Sequence, residues 1–224
     1  MTIRPASVLH VLVAGSALLS CADIASPTRS EAYEWRLLMP TGTGDGVDTL
    51  SFHWPRSRLP VRIWVEDSLS LPSHVRQGIE QWEAAFLYRE FSAVLVSDSN
   101  AADVMVQSGI APKAGFSITR LGGFLAPECE GATDIELPPG SRQIQPPLRV
   151  YVEPRFDPST PGVDECMALT TAHELGHALG IFAHSPNTAD LMYADPTASA
   201  LTTRDRATAE VAYHTEPTLT VGSR

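Results

Sequence analysis

Three histidines lie close together in this 224-residue chain, between positions 173 and 184. His173 and His177 are four residues apart, a spacing that places both imidazoles on one face of an α-helix. Gly180 tolerates the left-handed backbone that commonly ends a helix, so the chain can turn and bring His184 back towards the other two. The pattern therefore predicts a helix whose end carries a cluster of three imidazoles.

Three neutral imidazoles with one open position are typical of a catalytic zinc site, and we interpret His173, His177 and His184 as zinc ligands. Glu174 is offset by one residue from the first ligand, so it can reach a water on the metal without binding the metal itself. Glu174 is therefore the candidate general base. Five fixed positions match by chance in roughly one chain in a hundred thousand of this length, which disfavours incidental histidines on an ordinary helix.

The extended pattern His-Glu-x-x-His-x-x-Gly-x-x-His resembles that of the metzincin family of zinc peptidases. The resemblance implies an α+β domain with a twisted mixed β-sheet, an active-site helix, a second long helix and a C-terminal helix. It also implies that Met192, eight residues after His184, lies in a tight turn beneath the metal without binding it. The Leu-Met-Tyr triplet around Met192 is most similar to the matrixin-like branch. There, the position of Tyr193 forms a wall of the pocket for the residue after the scissile bond.

The function that this resemblance implies is zinc-dependent hydrolysis of peptide bonds by a metalloendopeptidase acting on protein or peptide substrates. Two alternatives remain open: a zinc hydrolase acting on a non-peptide amide of the cell wall, and a non-catalytic surface lipoprotein that binds zinc. Glu174 beside a full ligand set favours catalysis, because zinc binding needs no general base. The formal charge of −10 argues against a nucleic-acid partner, and we expect a monomer.

Residues 1–20 are typical of an export signal, with a positive charge at Arg4 followed by an apolar run too short to span a bilayer. The run ends in Leu-Leu-Ser-Cys, which resembles a bacterial lipoprotein signal with Cys21 as the lipidated residue. We therefore predict an exported protein that is held in the cell envelope by a membrane anchor on Cys21. The alternative is a signal cleaved near Ala22 or Ala25, which would give a secreted protein.

The composition predicts four segments along the chain. Residues 21–57 are rich in Ser, Thr, Pro, Gly and Asp, and we interpret them as a flexible tether after the signal peptide. Residues 58–215 would form the metzincin-like peptidase domain, and residues 216–224 a frayed tail. Outside the metal helix, hydrophobic periodicity predicts strands at 59–66, 93–96, 102–107, 116–125 and 148–152, and helices at 71–88 and 201–214. The resemblance implies that the weak edge strand near residues 115–121 holds an extended peptide substrate.

Two cysteines remain besides Cys21, and an even pair in an exported chain favours a disulfide. Cys129 is predicted to lie in a loop, and Cys166 at the start of the metal helix, which Asp164 is predicted to cap. A zinc-blocking thiolate at Cys129 and a pair of free thiols are the alternatives. Calcium (Ca2+) is a weaker possibility in the acidic stretch, where solvated loop charge is the better account. That stretch contains Glu153, Asp157, Asp164 and Glu165.

Overall fold

A computed structural model describes residues 29–40 and 46–223 of the protein. They form a mixed α+β fold with one large sheet, one small sheet and three α-helices within these ranges. The strands are β1 (Leu37–Pro40), β2 (Val47–Leu50), β3 (Val61–Val65), β4 (Ala93–Val96), β5 (Val104–Ser108), β6 (Ile118–Leu125), β7 (Cys129–Glu136), β8 (Gln143–Pro154) and β9 (Thr220–Val221). The helices are α1 (Leu71–Glu83), α2 (Val163–Leu179) and α3 (Thr203–Tyr213).

The large sheet is mixed, with the strand order β4-β3-β5-β8-β7-β6. The first four of these strands run parallel, whereas β7 is antiparallel to both β8 and β6. β9 pairs in parallel with the beginning of β8, and β1 and β2 form a separate antiparallel pair. The strand predicted at residues 116–125 is found as β6, at one edge of the large sheet.

The core lies between the sheet and the helix pair α1 and α2. Leu148, Val150 and Val152 alternate along β8 and are fully buried, as the period-two pattern of a half-buried strand requires. In α1, Trp82 is buried against α2, and its indole Nε1 donates a hydrogen bond to the carbonyl oxygen of Ala172 at 2.8 Å. This contact fixes α2, the helix with the zinc-ligand pattern, against the rest of the core.

Both ends of α2 are set by glycines in the left-handed conformation. Gly162 is the N-cap residue, with φ of 90°, and Asp164 lies in the first turn, so the prediction that Asp164 caps the helix is wrong. The positive φ of Gly162 lets the chain form a turn just before the helix. Across this turn the N–H of Val163 donates to the carbonyl of Thr160. At the other end Gly180 has φ of 115°, and a Cβ there would lie 2.1 Å from the carbonyl oxygen of Phe52.

The predicted flexible tether at residues 21–57 is wrong for most of the part that the structure describes. Tyr33, Trp35, Phe52 and Trp54 are all buried in the core. The indole Nε1 of Trp54 also donates to the carbonyl of Ala178 at 3.0 Å. The domain therefore begins well before the predicted boundary at residue 58, because four aromatic side chains are dispersed among the polar residues that suggested a tether.

The predicted tail at residues 216–224 is also ordered by specific contacts. Leu219 is fully buried, and its backbone N–H donates to the carbonyl of Ser51 at 2.9 Å. Residues 220–221 then form β9 beside β8. A strand of two residues is too short for a periodicity argument to detect.

Two further boundaries differ from the predictions. The helix predicted to reach residue 88 ends at Glu83, and Phe86 and Phe91 in the segment after it contribute their side chains to the core. Cys129 begins strand β7 and does not lie in a loop. This strand escaped prediction because Gly131 and Thr133 on it replace the large apolar residues that a buried strand face normally carries. Within residues 29–40 and 46–223, no helix combines the length and the hydropathy needed to cross a bilayer.

Candidate metal centre

The three histidines of the sequence pattern lie together at the end of α2. Their candidate ligand nitrogens are within 4.8 Å of one another. Nε2 of His173 and Nε2 of His177 are 3.1 Å apart, close to the separation of about 3.4 Å that two nitrogens have in a tetrahedral zinc site. Among the residues that the structure describes, this is the only group of three metal-binding side chains within such distances.

The other nitrogens of the first two imidazoles are held by backbone carbonyls. Nδ1 of His173 donates to the carbonyl of Leu191 at 2.8 Å, and Nδ1 of His177 donates to the carbonyl of Ile181 at 2.6 Å. Because a carbonyl oxygen only accepts, these bonds place the ring protons on Nδ1 and leave the Nε2 lone pairs directed at each other. Two facing lone pairs repel unless a cation lies between them, which is the arrangement that a metal ligand pair requires.

His184 completes the cluster after the chain reverses at Gly180. Its ring centroid lies 5.2 Å from that of His173 and 5.1 Å from that of His177. Nε2 of His184 is buried and has no hydrogen-bond partner among the described residues. An unsatisfied buried nitrogen is costly, and a metal ion bound by the cluster would satisfy it. The three imidazoles therefore fit a zinc ion.

Burial keeps these imidazoles neutral. It lowers the pKa of His173 to about 3, and it lowers the pKa of His184 as well. The pKa of His177 lies well below its usual value, because of burial first and then of the neighbouring rings of His173 and His184. Neutral imidazole is the form that binds a metal, so protons compete little for these nitrogens at neutral pH.

Glu174, the candidate general base, is buried between α2 and β7. The hydroxyl of Thr133 donates to its Oε2 at 2.8 Å and lies 3.0 Å from its carbonyl oxygen. Gly131 leaves the room that the carboxylate occupies, since a Cβ there would lie 2.9 Å from Oε1 of Glu174. Neither residue is predicted from the sequence, because their closeness to Glu174 depends on how the sheet packs on the helix.

Met192 is fully buried against α2, in the turn that the sequence predicted. A Cβ on Gly176 would lie 2.4 Å from the Met192 sulfur, so the methionine side chain packs directly on the helix backbone beside His177. Tyr193 is half-buried and lies opposite Ser185, the residue after the third histidine, in an isolated β-bridge. The turn therefore touches the segments that carry all three histidines.

Asp205, at the start of α3, holds this turn. Its carboxylate accepts the backbone N–H of Leu191 at 2.9 Å and that of Met192 at 3.4 Å. It also accepts the hydroxyl of Tyr33 at 2.9 Å, and it forms a capping box with Thr202. The Thr-x-x-Asp spacing of that box is a local sequence signal for the start of α3, but its link to the metal centre is visible only in the folded structure.

A second carboxylate, Asp190, closes the same turn. It accepts hydrogen bonds from the hydroxyls of Ser185 and Thr202 and from Nε of Arg204, the last at 3.0 Å. Burial alone would raise the pKa of Asp190, but these three donors hold it below its usual value. The charged Asp190 carboxylate therefore connects Ser185, the residue after His184, to the start of α3.

The remaining predicted residues lie away from the histidines or outside the described ranges. Cys129 and Cys166 form a disulfide with a Cα–Cα distance of 6.0 Å, so Cys129 is not a metal ligand. Cys21 lies outside the described residues. Among the described residues, the acidic residues considered for calcium do not form a group of three or more metal-binding side chains. Asp164 accepts from Nε2 of His74 at 3.1 Å, and Asp157 accepts from the backbone N–H of Ser159 at 2.9 Å.

No protein-family model matches this chain, and no curated protein is significantly similar to it in sequence. Its function must therefore be inferred from the chemistry of the histidine cluster and its surroundings.

Proposed function

We propose that this protein is a zinc-dependent endopeptidase of the metzincin type, with a matrixin-like arrangement of the site. The observation that carries the proposal is the convergence of three neutral imidazoles beside a buried carboxylate. His173, His177 and His184 would bind one zinc ion through Nε2. When bound in such a site, zinc polarises a carbonyl oxygen and makes water acidic enough to lose a proton near neutral pH.

In this proposal, the residues of the protein transfer a proton and hold the zinc ligands in position. Glu174 takes the proton of the attacking water and passes it to the leaving amine, which is general base and then general acid catalysis. The carbonyls of Leu191 and Ile181 hold the Nδ1 protons of two ligands, so that both rings keep the tautomer that binds metal. Met192 shapes the floor of the site, and Tyr193 forms a wall of the pocket for the residue after the scissile bond.

The substrate would be a protein or peptide in extended form. β6 lies at one edge of the large sheet, and such an edge presents backbone groups with which an extended peptide can pair. We further propose that the protein is exported and anchored in the cell envelope through lipid on Cys21, and that it acts as a monomer.

The proposal is tested with residues 22–224, which lack the signal peptide and the proposed lipidation site Cys21, loaded with zinc and incubated with an unbiased peptide mixture. We expect about one zinc per chain and cleavage of peptide bonds by the parent protein. Glu174→Ala should retain zinc and lose cleavage. The matched control is Glu165→Ala, which removes an exposed carboxylate in the first turn of the same helix and should cleave like the parent.

Three results would overturn the proposal. If the parent protein binds no zinc, the proposed cofactor is wrong. Equal cleavage by the parent and Glu174→Ala would exclude the general base. A zinc-loaded parent that hydrolyses a cell-wall amide but no peptide would assign a different substrate class to the same site.

A further inference from the structure

Strand β7 packs against helix α2 through three pairs of residues that are regularly spaced along both elements. Alternate residues of a strand share one face, and two residues of strand rise about 6.6–6.8 Å. Four residues of α-helix rise about 6.0 Å, so every fourth residue of α2 can meet every second residue of β7. The three pairs are Cys129 with Cys166, Gly131 with Thr170, and Thr133 with Glu174.

The first pair is covalent and fixes the alignment of the two elements. The Cys129–Cys166 disulfide joins the first residue of β7 to the first turn of α2. Oγ1 of Thr170 lies 3.0 Å from the Cys129 sulfur. A disulfide sulfur carries no hydrogen, so the hydroxyl of Thr170 is the donor. The strand therefore cannot slide along the helix by one residue without breaking this connection.

The second pair brings the two backbones close together. A Cβ on Gly131 would lie 2.4 Å from Cγ2 of Thr170 and 2.9 Å from Cγ of Glu174, so a larger residue would force these side chains to shift. Glycine is required here by space, because the helix side chains fill the volume that a larger residue would need. The glycine lets β7 approach until the next pair is within hydrogen-bond reach.

The third pair ends on the candidate general base. Both Thr133 and Glu174 are fully buried, and the Thr133 hydroxyl donates to Oε2 of Glu174 at 2.8 Å. The same hydroxyl is 3.0 Å from the backbone carbonyl oxygen of Glu174, so it contacts both the side chain and the backbone of that residue. A carboxylate fixed by a buried donor has its orientation set before a substrate arrives.

We propose that β7 positions the general base, with Thr133 as the positioning residue and with Gly131 and the disulfide setting the alignment. This inference rests on the proposed function, since it assigns a role within that reaction. Both hydrogen-bond contacts of the Thr133 hydroxyl are with Glu174, so Thr133 would act through that residue. Without its hydroxyl, the carboxylate loses a buried donor and can turn away from its catalytic orientation.

The experiment compares Thr133→Val, which removes the hydroxyl but keeps the branched shape, with Thr133→Ser, which keeps the hydroxyl. The matched control is Thr171→Val, because Thr171 is also buried and its hydroxyl donates to the carbonyl of Met167 at 2.7 Å. We expect Thr133→Val to lower kcat about 10- to 100-fold with KM and zinc content unchanged. Thr133→Ser should recover most of kcat, and Thr171→Val should match the parent.

Parent-like kcat in Thr133→Val would overturn the inference, and so would equal losses in Thr133→Val and Thr171→Val. If Thr133→Val does not fold, Thr133→Ala replaces it in the same comparison with Thr133→Ser. If the parent protein cleaves nothing, the proposed function fails separately. Crystal structures of the metal-free parent and Thr133→Val then test the positioning alone. A Glu174 carboxylate in the same orientation in both would overturn it, and a turned carboxylate in the variant would support it.

Discussion

Nδ1 of His173 donates a 2.8 Å hydrogen bond to the carbonyl oxygen of Leu191, so the residue before Met192 orients the first histidine of the candidate metal centre. The backbone N–H of Leu191 is in turn held by Asp205 at 2.9 Å. A continuous path of hydrogen bonds therefore runs from α3 through the methionine turn to a ring of the histidine cluster. Outer partners of this kind fix ring orientation and tautomer, and their loss weakens metal sites.

The N-terminal segment extends this path through Tyr33. Burial first, and then the carboxylate of Asp205, raises the pKa of Tyr33, so its hydroxyl stays protonated and donates to Asp205 at 2.9 Å. We expect Tyr33→Phe to lower the free energy of unfolding by about 1 kcal/mol, the usual net value of one hydrogen bond. We also expect weaker zinc binding, because Asp205 loses one of the groups that hold it. Urea unfolding and competitive zinc titration measure the two effects.

The control for Tyr33→Phe is Tyr88→Phe, which removes a hydroxyl from an exposed ring after α1. Tyr88→Phe should change neither the stability nor the zinc affinity. Equal behaviour of the two variants would show that the Tyr33 hydroxyl does not support the turn.

The metal-free protein should lose stability in acid because its histidines are buried in neutral form. Burial lowers the pKa of His173 to about 3, whereas in an unfolded chain it would be close to 6.5. Between these values the unfolded chain binds more protons than the folded one, so acid favours unfolding. The contribution of this group is complete above pH 6.5 and is lost as pH falls towards 3.

The measurement compares the metal-free parent with His173→Asn by urea unfolding at pH 7 and pH 5. The stability difference, parent minus variant, should fall by about 2 kcal/mol between these pH values, since each unit below 6.5 is worth about 1.4 kcal/mol for one group. A difference that does not change with pH would contradict the neutral, buried state of His173.

The histidine cluster could be predicted because its geometry is local to one helix and the turn after it. His173 and His177 are related by helix periodicity, and His184 follows from the glycine that ends the helix. Thr133 and Glu174 are 41 residues apart, and Tyr33 and Asp205 are 172 apart. Such pairs are created by the packing of separate elements, and no local pattern specifies them.

The same distinction explains the fold predictions. Strands β3 and β4 and the start of helix α1 have clear periodicity, and their predicted positions agree with the structure, whereas the predicted end of α1 lies five residues beyond Glu83. The N-terminal segment and β9 were missed because their order comes from long-range contacts, such as Leu219 with Ser51. β7 is not predicted because Gly131, which allows the strand to lie close to α2, occupies a position where an apolar side chain would indicate a strand.

Gly131 also gives a direct test of how tightly β7 packs on α2. We expect Gly131→Ala to lower the free energy of unfolding by about 1–3 kcal/mol, because the added methyl group overlaps Thr170 and Glu174. Gly115→Ala is the control, since the nearest atom to a Cβ there is 3.9 Å away on Ile118. Thermal and urea unfolding compare the two variants. Equal stability would mean that β7 moves away from the helix without cost.

The N-terminal segment should be required for the metal centre, and a pair of truncated proteins tests this. The carbonyl of Trp35 accepts the backbone N–H groups of Phe182 at 2.7 Å and Ala183 at 2.9 Å, which directly precede His184. A protein that begins at residue 37 loses these bonds, the burial of Trp35 and the Tyr33 hydroxyl, whereas one that begins at residue 29 keeps them. We expect the shorter protein to be less stable by about 3 kcal/mol or more, from two buried aromatic side chains and the lost hydrogen bonds.

Zinc affinity should fall about 10-fold or more in the shorter protein, because the segment leading to the third histidine is no longer held in place. Competitive titration with a zinc chelator compares the two proteins under conditions in which both remain folded. Equal zinc affinity would show that α2 and the turn at Gly180 position His184 without the N-terminal segment. A loss of affinity that exceeds the loss in Tyr33→Phe would show that further contacts of residues 29–36, among them the backbone bonds of Trp35, also support the site.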